Sequence, residues 1–108
     1  MKQILTILGS TGSIGNNTLD VVARHPDLFS VFALTAAVQV DAMLAQCQRF
    51  LPRFAVMSSP PHAVQLREKV RELGLPVEVL SGPAALDQVA CDSEVTTVMA
   101  SIVGAAGL

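Results

Sequence analysis

Residues 4–15 read ILTILGSTGSIG, an apolar run followed by a loop that contains three glycines. Ile4–Leu8 is predicted to be a strand, because β-branched and apolar side chains fill it and Gly9 ends it. A strand that is apolar throughout is typical of a parallel sheet covered on both faces. From Ile14 the apolar residues recur at helical spacing until Pro26 closes the segment. The stretch therefore predicts a strand, a tight loop and a helix in succession.

The rest of the chain repeats this alternation of short apolar blocks and longer helical ones. Further strands are predicted at Ser30–Thr35, Phe54–Met57, Val77–Leu80 and Val95–Ser101. Further helices are predicted at Val40–Leu51, Pro60–Leu73 and Pro83–Val89, and a Gly- and Ala-rich segment begins at Ile102. Strands that alternate with helices predict right-handed crossovers, and hence a doubly wound, Rossmann-like α/β fold with a mainly parallel sheet in three layers. A chain of 108 residues suits one such domain.

The expected position of the functional site follows from this fold. Doubly wound folds bind ligands outside the carboxyl ends of their strands, near the point where the strand order reverses. The candidate loops are therefore those after Leu8, after Thr35 and after Ser101.

The loop after the first strand has the glycine spacing GxxGxxG. Gly9 permits a tight turn, Gly12 lets the backbone approach a pyrophosphate, and Gly15 lets the new helix pack against the strand. The helix then opens with unpaired N–H groups and the positive end of its dipole, which together attract an anion. Thr11 and Ser13 add hydroxyl donors. Because the loop lies within a strand–helix–strand unit, we predict a dinucleotide site rather than a turn that only links two elements.

The end of the second strand bears on which dinucleotide binds. NAD-binding domains usually have Asp or Glu there to accept a hydrogen bond from the ribose hydroxyl. Residues 36–39 read AAVQ, and the first acidic residue beyond them is Asp41. Without an acid to repel a 2′-phosphate, NADP is favoured over NAD. No Arg or Lys stands there to bind that phosphate, so Thr35 and Gln39 are the candidate hydrogen-bonding groups.

Composition and charge argue against several other classes of function. The chain is 51% hydrophobic and has a formal net charge of −2, which disfavours a nucleic-acid partner. Its clustered basic residues, Arg67, Lys69 and Arg71, alternate with Glu68 and Glu72 as on a solvated helix face. The apolar blocks fall short of the roughly 20 residues of a membrane span, and the N-terminus lacks the pattern of a secretion signal. We therefore expect a cytoplasmic protein with no membrane partner.

The cysteines and histidines do not form a metal-binding pattern. Cys47 and Cys91 lie far apart, and neither His25 nor His62 has a second ligand at metal-binding spacing. Both cysteines fall in helical segments among apolar neighbours, so buried, reduced thiols are expected. For His25 a position at a helix end is expected. No metal site is predicted in this chain.

Several stretches together carry a resemblance to a known enzyme family. They read GSTGSIG at 9–15, NNTLDVV at 16–22, SVFAL at 30–34, PRFAV at 52–56 and MASIVGAAGL at 99–108. Over the whole length of the chain they resemble the opening of the 1-deoxy-D-xylulose 5-phosphate reductoisomerases. The first motif alone is shared by several reductases, and its combination with the others makes the resemblance specific.

The resemblance implies an enzyme that rearranges and reduces 1-deoxy-D-xylulose 5-phosphate to 2-C-methyl-D-erythritol 4-phosphate, a step of non-mevalonate isoprenoid biosynthesis. It further implies NADPH as cofactor, a divalent metal (magnesium or manganese), a sugar phosphate substrate and a homodimer.

The resemblance also implies roles for individual positions. It implies that the cofactor phosphates are bound by Thr11, Gly12, Ser13 and Ile14. The adenosine ribose phosphate is expected to contact Ala37, Val38 and Gln39, and the nicotinamide side is expected to be lined by Ala100, Ile102 and Gly104. The family often has a Gly, a basic residue and an Asn at positions 37–39. This chain departs from that pattern, which weakens the expected binding of the 2′-phosphate, although Gln39 can replace the Asn amide.

The metal carboxylates and the substrate-phosphate residues of the family belong to a region that maps beyond this chain. No acidic residue lies between Glu94 and Leu108. We therefore expect residues 1–108 to be the N-terminal dinucleotide-binding domain of a longer protein, truncated before its catalytic and C-terminal domains. Such a fragment is expected to bind nucleotide, to bind no metal and to have no catalytic activity.

Two alternatives stay open at this point. An aspartate-semialdehyde-type dehydrogenase has a similar N-terminal domain and would differ by a catalytic Cys further along its chain. A non-enzymatic nucleotide sensor would need a sheet that is complete within these 108 residues.

Overall fold

A computed structural model describes residues 3–100, in which strands and helices alternate along the chain. The strands are β1 (Gln3–Leu8), β2 (Phe29–Ala36), β3 (Phe54–Met57), β4 (Glu78–Ser81) and β5 (Thr97–Ala100). The helices are α1 (Ser13–Arg24), α2 (Val40–Phe50), α3 (Pro60–Leu73) and α4 (Pro83–Ala90). Every element predicted within this range is present, with ends that differ by a few residues. Residues 101–108, including the predicted start of a Gly- and Ala-rich segment, lie outside the described residues.

The five strands form one parallel sheet in the order β4-β3-β2-β1-β5. The first four strands are laid down side by side in one direction, and the chain then crosses back to place β5 on the other side of β1. The strand order therefore reverses at β1, which is the switch point at which doubly wound folds bind their ligands. The predicted fold class is confirmed.

Two apolar clusters show that helices cover both faces of the sheet. Leu5 and Ile7 belong to the larger cluster, which also contains buried side chains of α1, α2 and α3. Ile4 packs against the smaller cluster, to which α4 contributes Ala85 and Val89. Because successive side chains of a strand point to opposite faces, the two clusters lie on opposite sides of β1. The three-layer arrangement is thereby confirmed, with α4 as the helix described on the second face.

Thr6 of β1 makes a polar contact with α4 on the second face of the sheet. Its side chain is fully buried, and its hydroxyl donates a hydrogen bond of 2.8 Å to the carbonyl oxygen of Val89. A buried hydroxyl needs such a partner, because transfer from water without one costs about 1–3 kcal/mol in proteins. The bond positions the end of α4 over β1.

The residues at the ends of α1 and α3 differ in their backbone conformation and hydrogen bonds. Gly74 has a left-handed backbone (φ 66°) at the C-cap of α3, a conformation that glycine adopts without strain. His25 occupies the C-cap of α1, the expected helix end. Ser59 is the N-cap of α3, and its side chain makes no capping hydrogen bond. Its hydroxyl shares a hydrogen bond of 2.8 Å with Nδ1 of His62 instead.

The two cysteines have different environments. Cys47 is fully buried in the larger cluster, as expected. Cys91 is exposed, so its predicted burial is wrong: α4 ends at Ala90, and Cys91 stands at the C-cap, where the chain leaves the helix. Within residues 3–100 no helix is long and apolar enough to cross a membrane.

This difference predicts that the two thiols react differently. Burial raises the pKa of the Cys47 thiol to about 12, so at pH 8 it is protonated as well as inaccessible. We expect Cys91 alone to react with a thiol reagent such as 5,5′-dithiobis(2-nitrobenzoate) in native buffer, and both cysteines to react in 6 M guanidinium chloride. The Cys91→Ser variant is the control and should show no fast phase. Equal rates for both thiols in native buffer would contradict the assigned burial.

The same raised pKa has a consequence for stability. The unfolded thiol has a pKa of about 8.5, so unfolding releases a proton at pH values between about 8.5 and 12. The contribution of Cys47 to the free energy of unfolding is therefore fully present below that window and is lost as the pH rises through it.

Candidate nucleotide-binding site

The glycine loop makes its turn within the four residues between β1 and α1. Gly9 has a left-handed backbone (φ 69°), which confirms the predicted reason for a glycine at the end of the strand. The N–H of Gly12 donates to the carbonyl oxygen of Gly9 at 3.1 Å and closes the turn. Gly12 is the N-cap of α1, and its carbonyl accepts a hydrogen bond of 2.9 Å from the N–H of Asn16. The loop therefore passes directly into the helix.

Gly15 lies where α1 crosses closest to this loop. A Cβ atom at Gly15 would be 2.5 Å from the carbonyl oxygen of Gly9 and 2.6 Å from Cα of Ser10. Both neighbours are backbone atoms, so no side-chain rotation can make room. The predicted close packing of α1 at Gly15 is confirmed.

A cluster of hydrogen-bonded polar side chains lies beneath the loop, with Ser10 and Gln46 buried and Asn16 exposed. Ser10 is fully buried, and its hydroxyl donates to Oε1 of Gln46 at 2.7 Å. Nε2 of Gln46 donates in turn to the carbonyl oxygen of Ser10 at 2.7 Å and to Oδ1 of Asn16 at 3.0 Å. Nδ2 of Asn16 donates to the carbonyl oxygen of Thr11 at 3.2 Å. We call these side chains, Ser10, Asn16 and Gln46, the loop-support cluster.

Thr35 also supports the loop, and this corrects its predicted role as a phosphate ligand. Its side chain is 4% exposed, and its hydroxyl accepts a hydrogen bond of 3.0 Å from the N–H of Gly9. Its carbonyl oxygen accepts from the N–H of Ser10 at 2.8 Å. A hydroxyl buried in this way is out of reach of a ligand at the surface, so only Gln39 remains of the two polar candidates.

The start of α1 provides the attraction for an anion at this site. The first turn of a helix has N–H groups without partners in the helix, and it carries the positive end of the helix dipole. Gly12 has no side chain with which to cap these groups, and residues 13–16 contain no acid to compete for them. Residues 9–16 and 36–39 contain no charged side chain at all. Any attraction for a phosphate within these two segments therefore comes from backbone N–H groups and hydroxyls.

The segment expected at the adenosine ribose lies beside the glycine loop. Ala37, Val38 and Gln39 follow β2, the neighbour of β1, and all three are exposed. Gln39 is the N-cap residue of α2, and its side chain makes no capping hydrogen bond. The carboxyl ends of parallel neighbours lie at the same edge of a sheet, so the structure brings this segment and the glycine loop together.

The positions expected at the nicotinamide are described only in part. Ala100 ends β5 and pairs with Leu8, so the end of β5 lies directly beside the start of the glycine loop. Ile102 and Gly104 lie outside the described residues.

The family of the chain follows from comparison with known proteins. Residues 5–108 match the family model described as 1-deoxy-D-xylulose 5-phosphate reductoisomerase. The chain belongs to this family. It is 59% identical over 104 residues to a protein of that name from Nitrosomonas eutropha and 54% identical over 106 residues to one from Aromatoleum aromaticum. The alignments cover 96% and 98% of this chain but only 25% and 26% of those relatives, so the chain spans about a quarter of their length.

Solved structures of reductoisomerases share this fold. A structure of DOX-P reductoisomerase in complex with NADPH, fosmidomycin and magnesium superimposes with a TM-score of 0.89, at 45% identity over 98% of this chain and 26% of its own. The enzyme from Zymomonas mobilis in complex with NADPH gives a TM-score of 0.86, at 34% identity over 94% of this chain and 26% of its own. The family match overturns one alternative, the aspartate-semialdehyde-type dehydrogenase.

The divalent metal that the reductoisomerase family implies has no ligand set in the described part of this chain. Among residues 3–100, no three His, Cys, Asp or Glu side chains lie close enough together to hold a metal ion. We therefore assign no residue of this chain to the metal.

Sequence reasoning missed the loop-support cluster, although a signal for it was present. Met43, Cys47 and Phe50 define the apolar stripe of α2, and Gln46 lies three residues after Met43, on the same stripe. A long polar side chain at a core-facing position predicts a buried hydrogen-bonding partner. That the partner is the reductoisomerase glycine loop is visible only in the folded chain.

The close packing at Gly15 predicts the effect of adding one methyl group. In a helix exposed to solvent, Gly→Ala stabilises by about 1 kcal/mol. Gly15→Ala should instead destabilise the chain by about 1–3 kcal/mol, because the Cβ overlaps backbone atoms of Gly9 and Ser10. Urea unfolding measures the difference. Asn17→Ala, at an exposed position of the same helix, is the matched control and should change stability by no more than about 0.5 kcal/mol. A stabilising Gly15→Ala would show that α1 lies further from the loop.

Proposed function

We propose that residues 1–108 act as the NADPH-binding domain of a 1-deoxy-D-xylulose 5-phosphate reductoisomerase. The observation that carries this proposal is the contact of Gly15 with the backbone of Gly9 and Ser10. It places the uncapped N-terminus of α1 against a turn at the switch point of the sheet, which is where the pyrophosphate of a dinucleotide binds in this class of fold. The NADPH complexes of the similar structures support the same ligand.

Each part of the cofactor is assigned to one segment of the chain, and the described segments lie at the carboxyl edge of the sheet. The first turn of α1, with Thr11, Gly12, Ser13 and Ile14, would hold the pyrophosphate. The exposed segment 37–39 would contact the adenosine ribose and its phosphate, and Ala100, Ile102 and Gly104 would line the nicotinamide side. This order follows the sheet, because β2 and β5 lie on opposite sides of β1. When bound, NADPH supplies the hydride for reduction, and the residues of this chain bind and orient it.

The preference for NADPH over NADH rests on the absence of an acid at the end of β2. Residues 36–39 offer a 2′-phosphate no repulsion, and Gln39 is an exposed amide that can donate to it. Because no cation stands in this segment, we propose a modest preference, set by hydrogen bonds rather than by an ion pair.

The remaining assignments concern the whole enzyme. We propose that it reduces and isomerises 1-deoxy-D-xylulose 5-phosphate in isoprenoid biosynthesis, in the cytoplasm, as a homodimer that requires magnesium or manganese and has neither a nucleic-acid nor a membrane partner. The relatives of that name and the fosmidomycin complex support the reaction. On their own, residues 1–108 are expected to bind NADPH without turnover, because the described residues contain no metal ligand set.

The first test is a fluorescence titration of the 108-residue chain with NADPH and with NADH. Gly12 has an ordinary extended backbone (φ −78°, ψ 173°), so Gly12→Val leaves the fold possible but puts a branched side chain at the mouth of the α1 N-terminus. We expect NADPH to bind more tightly than NADH, and Gly12→Val to weaken NADPH binding about fivefold or more, since such overpacking costs about 1–3 kcal/mol. Gln48→Val, on the exposed side of α2, is the control and should bind like the parent chain. A folded parent chain that binds neither nucleotide would refute the proposal.

A second test adds the charge that segment 37–39 lacks. Val38 is 46% exposed, so Val38→Lys places an ammonium group beside the expected 2′-phosphate at little cost to the fold. An exposed ion pair contributes up to about 1 kcal/mol, so NADPH affinity should rise about fivefold and NADH affinity should stay unchanged. Val21→Lys, at a valine 49% exposed and further along α1, is the matched control for charge. An equal gain for NADH, or for the control, would argue against a 2′-phosphate at this segment.

A further inference from the structure

We propose that Gln46 is a positioning residue that holds the glycine loop in the conformation that binds phosphate. Gln46 lies on α2 and belongs to neither segment assigned to the cofactor. The proposal rests on the proposed function for its consequence on NADPH, and on the loop-support cluster for its structural part.

The contacts of Gln46 show why its amide matters. The side chain is 7% exposed and uses both ends of its amide: Oε1 accepts from the Ser10 hydroxyl, and Nε2 donates to the Ser10 carbonyl and to Oδ1 of Asn16. All three bonds are 3.0 Å or shorter. Only an amide at this position offers both a donor group with two hydrogens and an acceptor. The described residues leave no buried side-chain polar atom of this cluster without a partner.

The bond to the Ser10 carbonyl determines the direction of the next N–H. A trans peptide unit is planar, and its C=O and N–H point to opposite sides. The Ser10 carbonyl points inward to Gln46, so the N–H of Thr11, which belongs to the same peptide unit, points away from α2. Asn16, held by Gln46, fixes the next carbonyl, that of Thr11, at 3.2 Å. The cluster therefore orients the backbone that faces a bound phosphate without touching the phosphate.

The position of Gln46 also connects the two segments assigned to the cofactor. Gln46 lies on α2, and α2 begins directly after segment 37–39. A helix is stiff over this length, so the Gln46 bonds keep the start of α2 and the glycine loop at a fixed separation. Loss of the bonds should affect the phosphate loop first and the binding of the whole dinucleotide as a result.

The test replaces Gln46 by Leu, which is similar in size and cannot form hydrogen bonds, and by Glu, which keeps the length and the acceptor but loses the donor when ionised. We expect both variants to weaken NADPH binding at least tenfold while circular dichroism shows them folded. Thr6→Val is the matched control, because it also removes one buried hydrogen bond. That bond joins β1 to α4 on the opposite face of the sheet from α2, so NADPH affinity should stay within twofold. Binding within twofold of the parent chain by either folded Gln46 variant would overturn the proposal.

Amide hydrogen exchange without nucleotide gives a readout that a general loss of stability would not reproduce. The N–H groups of Ser10 and Gly12 are bonded to the carbonyls of Thr35 and Gly9, and they should exchange at least tenfold faster in the Gln46 variants. The amides of β3 should keep their rates, as should all of these amides in Thr6→Val. If the parent chain fails to bind NADPH, the proposed function fails, and the exchange rates still decide whether Gln46 holds the loop. Unchanged rates at Ser10 and Gly12 would show that it does not.

Discussion

The contact between Gly15 and the backbone of Gly9 and Ser10 is the constraint on which the rest of the site depends. It brings the first turn of α1 against the end of β1, at a separation that excludes every side chain, even that of alanine. With α1 so close, the chain has to turn within four residues, which requires the left-handed conformation of Gly9. The same closeness places the N-terminus of α1 at the carboxyl end of β1, beside the end of β5, where a helix dipole can act on a ligand.

So tight a turn also forces backbone polar groups into the interior, and these groups determine the neighbouring side chains. The N–H and the carbonyl of Ser10 are buried and the N–H of Gly9 is partly buried, and each has a partner on β2 or α2. A buried group without a partner would cost about 1–3 kcal/mol. The glycine loop therefore requires hydrogen-bonding partners such as Thr35 and Gln46, although these residues lie far from it in the chain. They leave the outer side of the loop free for the proposed nucleotide.

The fold and the glycine loop could be predicted because their signals are local. A β-branched run ended by Gly9, helical spacing from Ile14 and the GxxGxxG pattern each reflect interactions between residues close in sequence. Gln46 and Thr35 could not be assigned, because their partners depend on the register of β2 beside β1 and on where α2 packs. The predicted burial of Cys91 was wrong for a related reason. Its apolar neighbours suggested the interior of a helix, whereas α4 ends one residue earlier.

The two ends of the expected cofactor site depend on the sequence in different ways. The proposed pyrophosphate end would use backbone N–H groups, so it needs glycines and a supporting cluster but no charged side chain. The adenosine end depends on whatever side chains follow β2, and here those are Ala37, Val38 and Gln39, all exposed and uncharged. Substitutions at the first end change the path of the backbone, whereas substitutions at the second leave the fold intact and alter only the contacts to the ribose phosphate. The choice between NADPH and NADH can therefore vary within such a domain while its fold and its phosphate loop stay the same.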